Sequence, residues 1–382
     1  MKQVIKAIEA KEQVMLDFLE KLVNIDSGFD NPDGLHKCAE IIGSKLSSLG
    51  FDVEYIKIPD VCTHVLGRRK GKTSKSILLT GHIDTVFLTG TAAERPFRVK
   101  DGRAFGPGVA DMKGGIVTGL FALEALVEQG YLDDKNITVM FCGDEETGHP
   151  KSNAAEIFER EGRGQNAIFC LEPGRPNGEV VIGRKGVMNP SITVKGKAAH
   201  AGVDPEKGAS AIVELAKKIC DFQELTNLNK GILCNIGVIG GGTGLAVIPD
   251  NAYAKLNIRF NEMEDGERLL LAVREIAAKQ YVPGTETTLH VDYFVYLPFV
   301  TTEKVCHLLT IVQEQGRELG LPEIEGIFTG GGSDVAWAAK TGSPAIDGMG
   351  ATGGLMHSDQ EWMSVQGLFD RTKVLALSIN AI

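Results

Sequence analysis

The sequence predicts an α/β protein: a catalytic body with a mostly parallel sheet, interrupted by an inserted α+β domain built on one antiparallel sheet. Three observations carry this reading. Continuous apolar runs that end in polar residues, SILLTGHID (76–84), NITVMFC (136–142) and NAIFCLE (166–172), alternate with helical segments. Such runs suit strands buried on both faces of a largely parallel sheet. Beyond Gly186 the style changes to strand, helix, strand, strand, helix, strand, as in a small antiparallel α+β module. After Pro298 the earlier style returns. The division expected is therefore 1–186 and 298–382 for the discontinuous body, and 187–297 for the insert.

Each element has its own warrant. Residues 1–25 repeat apolar positions at helical spacing and read as one surface helix, and 35–49 as a second. DVEYIKI and THVLGRR read as strands, and MKGGIVTGLFALEALVEQG as the helix that follows SILLTGHID. SNAAEIFEREG is a helix between the next two strands. In the insert, MNPSITVKGK alternates as a half-buried strand does. Helix GASAIVELAKKICDFQEL follows, then strands CNIGVIGG and NAYAKLNIRF, helix DGERLLLAVREIAAKQY and strand TTLHVDYFVY. The body resumes with a helix over 302–319, the glycine-rich FTGGGSDVAW, a strand PAIDGMG and a last helix from about 364.

Composition excludes some functions. The 382 residues carry a net charge of −10, which leaves nothing to neutralise phosphates and argues against nucleic acid. The seven cysteines form no close pairs and read as reduced thiols of a cytoplasmic protein. The amphipathic, charged N-terminus is neither a signal peptide nor a membrane span.

The chemistry-bearing residues sit at strand and loop ends, where open α/β sheets bind ligands. LLTGHID delivers His82 and Asp84; strand periodicity puts both on one side, as a metal-binding imidazole held by a carboxylate requires. GPGVADMKGG delivers Asp111, DEE delivers Glu145 and Glu146, FCLEPG delivers Glu172 and GGLMHSD delivers His357. Singly, each has a plainer reading, such as a helix N-cap for Asp111. Together, two imidazoles and several carboxylates form the ligand set of a pair of borderline divalent ions, zinc foremost and cobalt or manganese as alternatives. Such a pair needs one bridging carboxylate and a further carboxylate that moves a proton. Adjacent Glu145 and Glu146 can divide the second duty from ligation.

These motifs, with GKAAHAG (196–202) and GGGSD (330–334), resemble the di-zinc metallopeptidase superfamily of glutamate carboxypeptidase, succinyl-diaminopimelate desuccinylase, acetylornithine deacetylase and aminoacylase. The likeness is strongest to glutamate carboxypeptidase, through GHIDTVF and PFRVKDGRAFGPGVADMKGG. The resemblance implies that His82 and Glu172 bind one zinc, Glu146 and His357 the other, and that Asp111 bridges them. It implies that Glu145 is the general base, that Asp84 orients His82, and that the bond after Asp111 is cis. The insert then matches a lid and homodimerisation domain, His200 a lid histidine that stabilises the intermediate, and Arg259 in LNIRF a clamp on the substrate carboxylate. Ala246 stands where the family often has Asn, and Val180 and Leu297 stand where glutamate-preferring enzymes are basic, so glutamate is not the expected substrate residue.

The activity expected is hydrolysis of an amide bond next to a free carboxylate, in a small peptide or an N-acyl amino acid. The rival within the same build is a deacylase or desuccinylase of a biosynthetic intermediate. The rival of another class is a non-catalytic, metal-dependent binding protein, against which the intact Glu145 argues.

Overall fold

The structure, a computed structural model, describes residues 1–291 and 294–382. The chain divides into two compact units: Met1–Gly183 with Thr301–Phe328 and Ser333–Ile382, and Arg184–Val300 with Thr329–Gly332. The glycine-rich residues 329–332, read from the sequence as part of the body, group with the second unit.

The first unit is built on a six-stranded sheet in the order 52–58, 62–69, 136–142, 76–82, 167–170, 345–346. Strands Ser76–His82, Asn136–Cys142, Ala167–Cys170 and Ala345–Ile346 run parallel. Asp52–Ile58 and Cys62–Arg69 add an antiparallel edge. Residues 77–82 and 139–142 are all buried, so the apolar runs SILLTG and VMFC face helices on both sides. Helix Gly115–Glu128 is buried almost all round, as its sequence GIVTGLFALEALVE demands, and packs against the C-terminal helix Val365–Ala381. Helix Pro32–Ser48 starts where Asn31 accepts a hydrogen bond from the Gly34 N–H, with proline just inside.

The single helix expected over 1–25 is two, Lys2–Glu9 and Glu12–Val23. Buried Ile8 and Met15 lie two helical turns apart, so the apolar stripe stays in phase across the break and conceals it. Also unforeseen is a four-stranded sheet in which hairpin Arg98–Lys100 and Arg103–Phe105 pairs through Trp362–Ser364 with Gly353–Gly354. Its strands are two or three residues long, too short to show a period.

The second unit is an antiparallel sheet in the order 233–241, 251–260, 191–195, 286–290, with 186–188 also on 251–260. Strand Asn251–Phe260 alternates exposed and buried residues, the signature of a sheet covered on one face. Helices Ala211–Gln223 and Met263–Ala278 pack with it. Of the strand expected over 287–296, Glu286–His290 is present; Asp292 and Tyr293 lie outside the described residues.

One buried cation joins these helices. Lys218 donates to the Ile276 and Ala277 carbonyls at 3.1 and 3.0 Å and to that of Lys279, at the C-terminus of helix 263–278. Its ammonium also pairs at 3.0 Å with Glu214, and both side chains are fully buried. Lys218→Met strands the Glu214 carboxylate and releases three carbonyls. It should destabilise the second unit by about 3–5 kcal/mol, since breaking one side of a buried pair leaves an uncompensated charge. Guanidinium titration followed by intrinsic fluorescence and circular dichroism measures this.

Candidate metal centre

His82 ends strand 76–82, in the sheet's interior. Gly81 before it leaves room for the Met112 side chain: a Cβ there would lie 2.3 Å from the Met112 Cε and displace its tip. Met112 follows the cis bond from Asp111 and lays its sulfur 3.1 Å from the His82 N–H. The His82 Nδ1 lies 3.0 Å from the Asp84 carbonyl oxygen. A carbonyl only accepts, so Nδ1 carries a proton, and Nε2 is the nitrogen that would offer a lone pair once a cation displaces its own proton.

The Nε2 side is where the carboxylates gather. It lies 3.2 Å from the Asp111 Oδ1 and 3.6 Å from the Glu172 Oε1. The other Asp111 oxygen, Oδ2, lies 3.2 Å from the His357 Nε2, which is in turn 3.3 Å from the Glu146 Oε2. Asp111 thus shares one oxygen with each imidazole. Glu172 stands by the first and Glu146 by the second. His357 reaches this position with its own φ at +63°, a backbone region that non-glycine residues occupy uncommonly.

Asp84 does more than its sequence reading allowed. Its carboxylate is 3.5 Å from His82 and also accepts the backbone N–H groups of Glu145 and Glu146, at 3.1 and 2.9 Å. One buried side chain therefore sets both the imidazole and the acidic turn.

Two observations indicate that these groups suit cations. Glu145, Glu146 and Glu172 are each pushed up by burial and by neighbouring carboxylates, Glu145 to about 8. Conversely, hydrogen bonds that its ring donates to Asp111 and Glu146 raise His357 to about 10, and His82 is raised well above its usual value by Glu172 and Asp111 despite burial. The carboxylates hold positive charge wherever it is offered. Second, the Glu146 Oε1 is buried and, among the described residues, has no hydrogen-bond partner. Imidazole and carboxylate donors in this number fit borderline divalent ions. His82, Asp111 and Glu172 form one such group, and Asp111, Glu146 and His357 another.

Sequence reading missed Glu361. Its buried carboxylate accepts the N–H groups of Gly108, Ala110 and Asp111 at 3.0, 2.8 and 3.0 Å, and so fixes the loop that presents Asp111. Burial pushes it up to about 7 against those hydrogen bonds. Only the acidic residue in SDQEWMS, four beyond His357, could have hinted at it.

His200 and Arg259 belong to the second unit. His200 is exposed, in a loop where Ile248 donates to the Ala199 carbonyl and Ala201 to that of Ala246. Arg259 donates to Asn257 and to the Gly330 carbonyl, both at 2.9 Å. Arg184 holds the Gly331 and Gly332 carbonyls, and Lys185 that of Gly231. The specificity reading from Val180 and Leu297 loses its footing: both are core residues, 0% and 3% exposed.

Comparison with known proteins gives the family of the chain. Residues 78–381 match the family described as Peptidase family M20/M25/M40. Carboxypeptidase G2 of Pseudomonas sp. (strain RS-16) is 30% identical over 372 residues, covering 95% of this chain and 88% of that protein. A succinyl-diaminopimelate desuccinylase of Gluconacetobacter diazotrophicus is 29% identical over 353 residues, 88% of this chain and 89% of that one. Among solved structures, the aminopeptidase PepT of Bacillus cereus shares the fold with a TM-score of 0.81 at 23% identity, over 97% of this chain and 98% of that chain. A chain with this sequence match and these clustered donors belongs to peptidase family M20/M25/M40, and is a hydrolase acting on peptide or amide bonds.

Proposed function

We propose that the protein hydrolyses an amide bond next to a free carboxylate, in a small peptide or an N-acyl amino acid, with two divalent ions, zinc foremost. The observation that carries this reading is the Asp111 carboxylate, with one oxygen 3.2 Å from His82 and the other 3.2 Å from His357. His82, Asp111 and Glu172 would hold one ion, and Asp111, Glu146 and His357 the other. The bound ions supply Lewis acidity, which polarises a carbonyl and makes water nucleophilic near neutral pH.

The protein's own groups do the rest. Glu145 is buried and shares a third group with His82 and Glu146, outside the two groups that Asp111 joins. Its carboxylate takes a proton from the attacking water and delivers it to the leaving nitrogen. Asp84 fixes the turn that aims it. For His200 as a donor to the developing oxyanion, and for Arg259 as a two-pronged clamp on the substrate carboxylate, the support is the resemblance of GKAAHAG and LNIRF to the family's motifs.

The likeness to carboxypeptidase G2 and to desuccinylases supports the bond class and leaves C-terminal amino acid and acyl group as the variables. Among the described residues no helix is long and apolar enough to cross a membrane. For assembly we favour a homodimer through strand Leu233–Gly241. It is an edge strand exposing Val238 and Ile239, with Ile212 and Val213 exposed on the helix packed against it. An apolar edge of this length invites pairing with a second copy.

Three measurements test this. The zinc-loaded protein is assayed on a panel of N-acyl amino acids and dipeptides. Glu145→Gln should keep about two ions per chain, as the two-metal scheme requires, and lose about 10²–10⁴-fold in kcat. Asp111→Asn should lose ions and activity together. A protein that binds no metal, or turns over no amide, defeats the reading. Metal binding should release protons, because His82 and His357 hold them in its place, so affinity rises with pH; calorimetry in two buffers of different ionisation enthalpy reads the release.

Glu361→Ala removes the acceptor for three buried N–H groups. It should cost about 1–3 kcal/mol in stability and weaken metal retention on dialysis against a chelator. Ile239→Lys on the edge strand should convert a dimer to a monomer by light scattering after size exclusion, while the isolated first unit's ligands are untouched.

A further inference from the structure

Behind the acidic turn lies a second group of buried titratable side chains that the proposed chemistry does not use. The chain leaves strand 136–142, passes Asp144, makes one tight turn through Glu145–Thr147, and folds back at Gly148 and His149. Gly148 and His149 both lie at positive φ, +76° and +58°. The turn is closed by the Gly148 N–H on the Glu145 carbonyl at 2.8 Å and the His149 N–H on that of Asp144 at 3.3 Å.

The His149 ring then does something no backbone turn needs. Its Nδ1 lies 2.8 Å from the Asp144 Oδ1, and its Nε2 lies 2.6 Å from the Asp334 Oδ1. Asp144 is 4% exposed, Asp334 1% and His149 9%. Ionised carboxylates only accept, so both ring nitrogens carry hydrogen and the ring is an imidazolium. Burial works against that charge, but the Asp334 and Asp144 carboxylates outweigh it and push His149 up to about 11. The far oxygen of Asp334 accepts from the Cys142 thiol at 3.1 Å, at the end of the strand itself.

We infer that His149 is a positioning residue: its buried ring, with one nitrogen on each aspartate, clamps Asp144 to Asp334 and so fixes the turn that carries Glu145 and Glu146. The inference rests on the proposed roles of those two glutamates. The turn is gripped from both sides. Asp84 holds its amides, and the clamp holds the residue just before them. Asp334 comes from GGGSDVAW, about 190 residues downstream by chain position, so the clamp also ties that loop end to the site. Without the ring, the two buried aspartates would face each other with nothing bridging them, and the turn would keep only the Asp84 hold. A displacement of about 1 Å at a catalytic group can cost on the order of 10²-fold in rate.

The test uses His149→Gln, Asp334→Asn and the double variant in the full-length protein, loaded with cobalt. Three readouts are taken: thermal stability, the visible cobalt spectrum, and kcat and KM on whichever panel substrate the wild type cleaves. His149→Gln should lower kcat by at least about tenfold, with KM within about threefold, and shift the cobalt bands because Glu146 moves. Adding Asp334→Asn should recover part of kcat and of the spectrum, since it removes the facing charge. If His149→Gln lowers only the melting temperature, with kcat and spectrum as in the wild type, the histidine is structural and the inference falls. If His149→Gln does not fold, Asp334→Asn alone carries the test, with the same spectral shift and kcat loss expected. A panel that yields no substrate defeats the functional reading, yet the cobalt spectrum still decides the clamp.

Discussion

Much of the first unit can be understood as the surroundings of one carboxylate. Asp111 places an oxygen 3.2 Å from each of two imidazoles that lie 275 positions apart in the chain, His82 and His357. A carboxylate can do this only if its backbone is held still and its neighbours are aimed. The holding falls to Glu361, which takes three N–H groups of the 108–111 loop. The aiming falls to Asp84, through the His82 ring and through the amides of the acidic turn. Each support is a buried carboxyl group with polar partners, the condition under which such groups are tolerated in an interior.

The electrostatic arrangement has a definite sign. Glu145, Glu146 and Glu172 rise because burial and each other disfavour their charged forms. The two imidazoles rise because those carboxylates surround them. Asp111 alone is held low, since hydrogen bonds from both rings outweigh its burial. A cluster of this kind binds positive charge by preference and a carboxylate in its midst remains a poor proton carrier when ligated. Glu145, pushed up to about 8, stands with His82 and Glu146 at the edge of this cluster.

The legibility of all this in the sequence was uneven, for physical reasons. Strands 76–82, 136–142 and 251–260 were plain, because a strand buried on both faces is continuously apolar and one covered on a single face alternates. The nine residues singled out for the site include seven that the first unit brings together, since each sits at a strand or loop end with its own motif. Glu361 was invisible because a carboxylate that serves backbone amides leaves no spacing pattern. The contact of His149 with Asp334 leaves no pattern for a similar reason, since the two lie 185 positions apart. The break at Ala10 and Lys11 was hidden by an apolar stripe that stays in phase. Val180 and Leu297 were aligned by position to a pocket, but position says nothing of which way a side chain faces, and both face the core.

The discontinuity of the first unit has a consequence for the order of events during synthesis. His82, Asp111, Glu146 and Glu172 all precede the second unit, while Asp334, His357 and Glu361 follow most of it. The parallel strands 76–82, 136–142 and 167–170 can pair as soon as they leave the ribosome, but strand 345–346 and the loop that bears His357 arrive last. A chain that stops short of residue 334 therefore has three of the sheet's parallel strands and most of the clustered carboxylates, without the His357 that lies beside Asp111 and Glu146 or the Asp334 that lies against His149. The second histidine–carboxylate group thus comes together only when residues from both sides of the second unit's sequence are present.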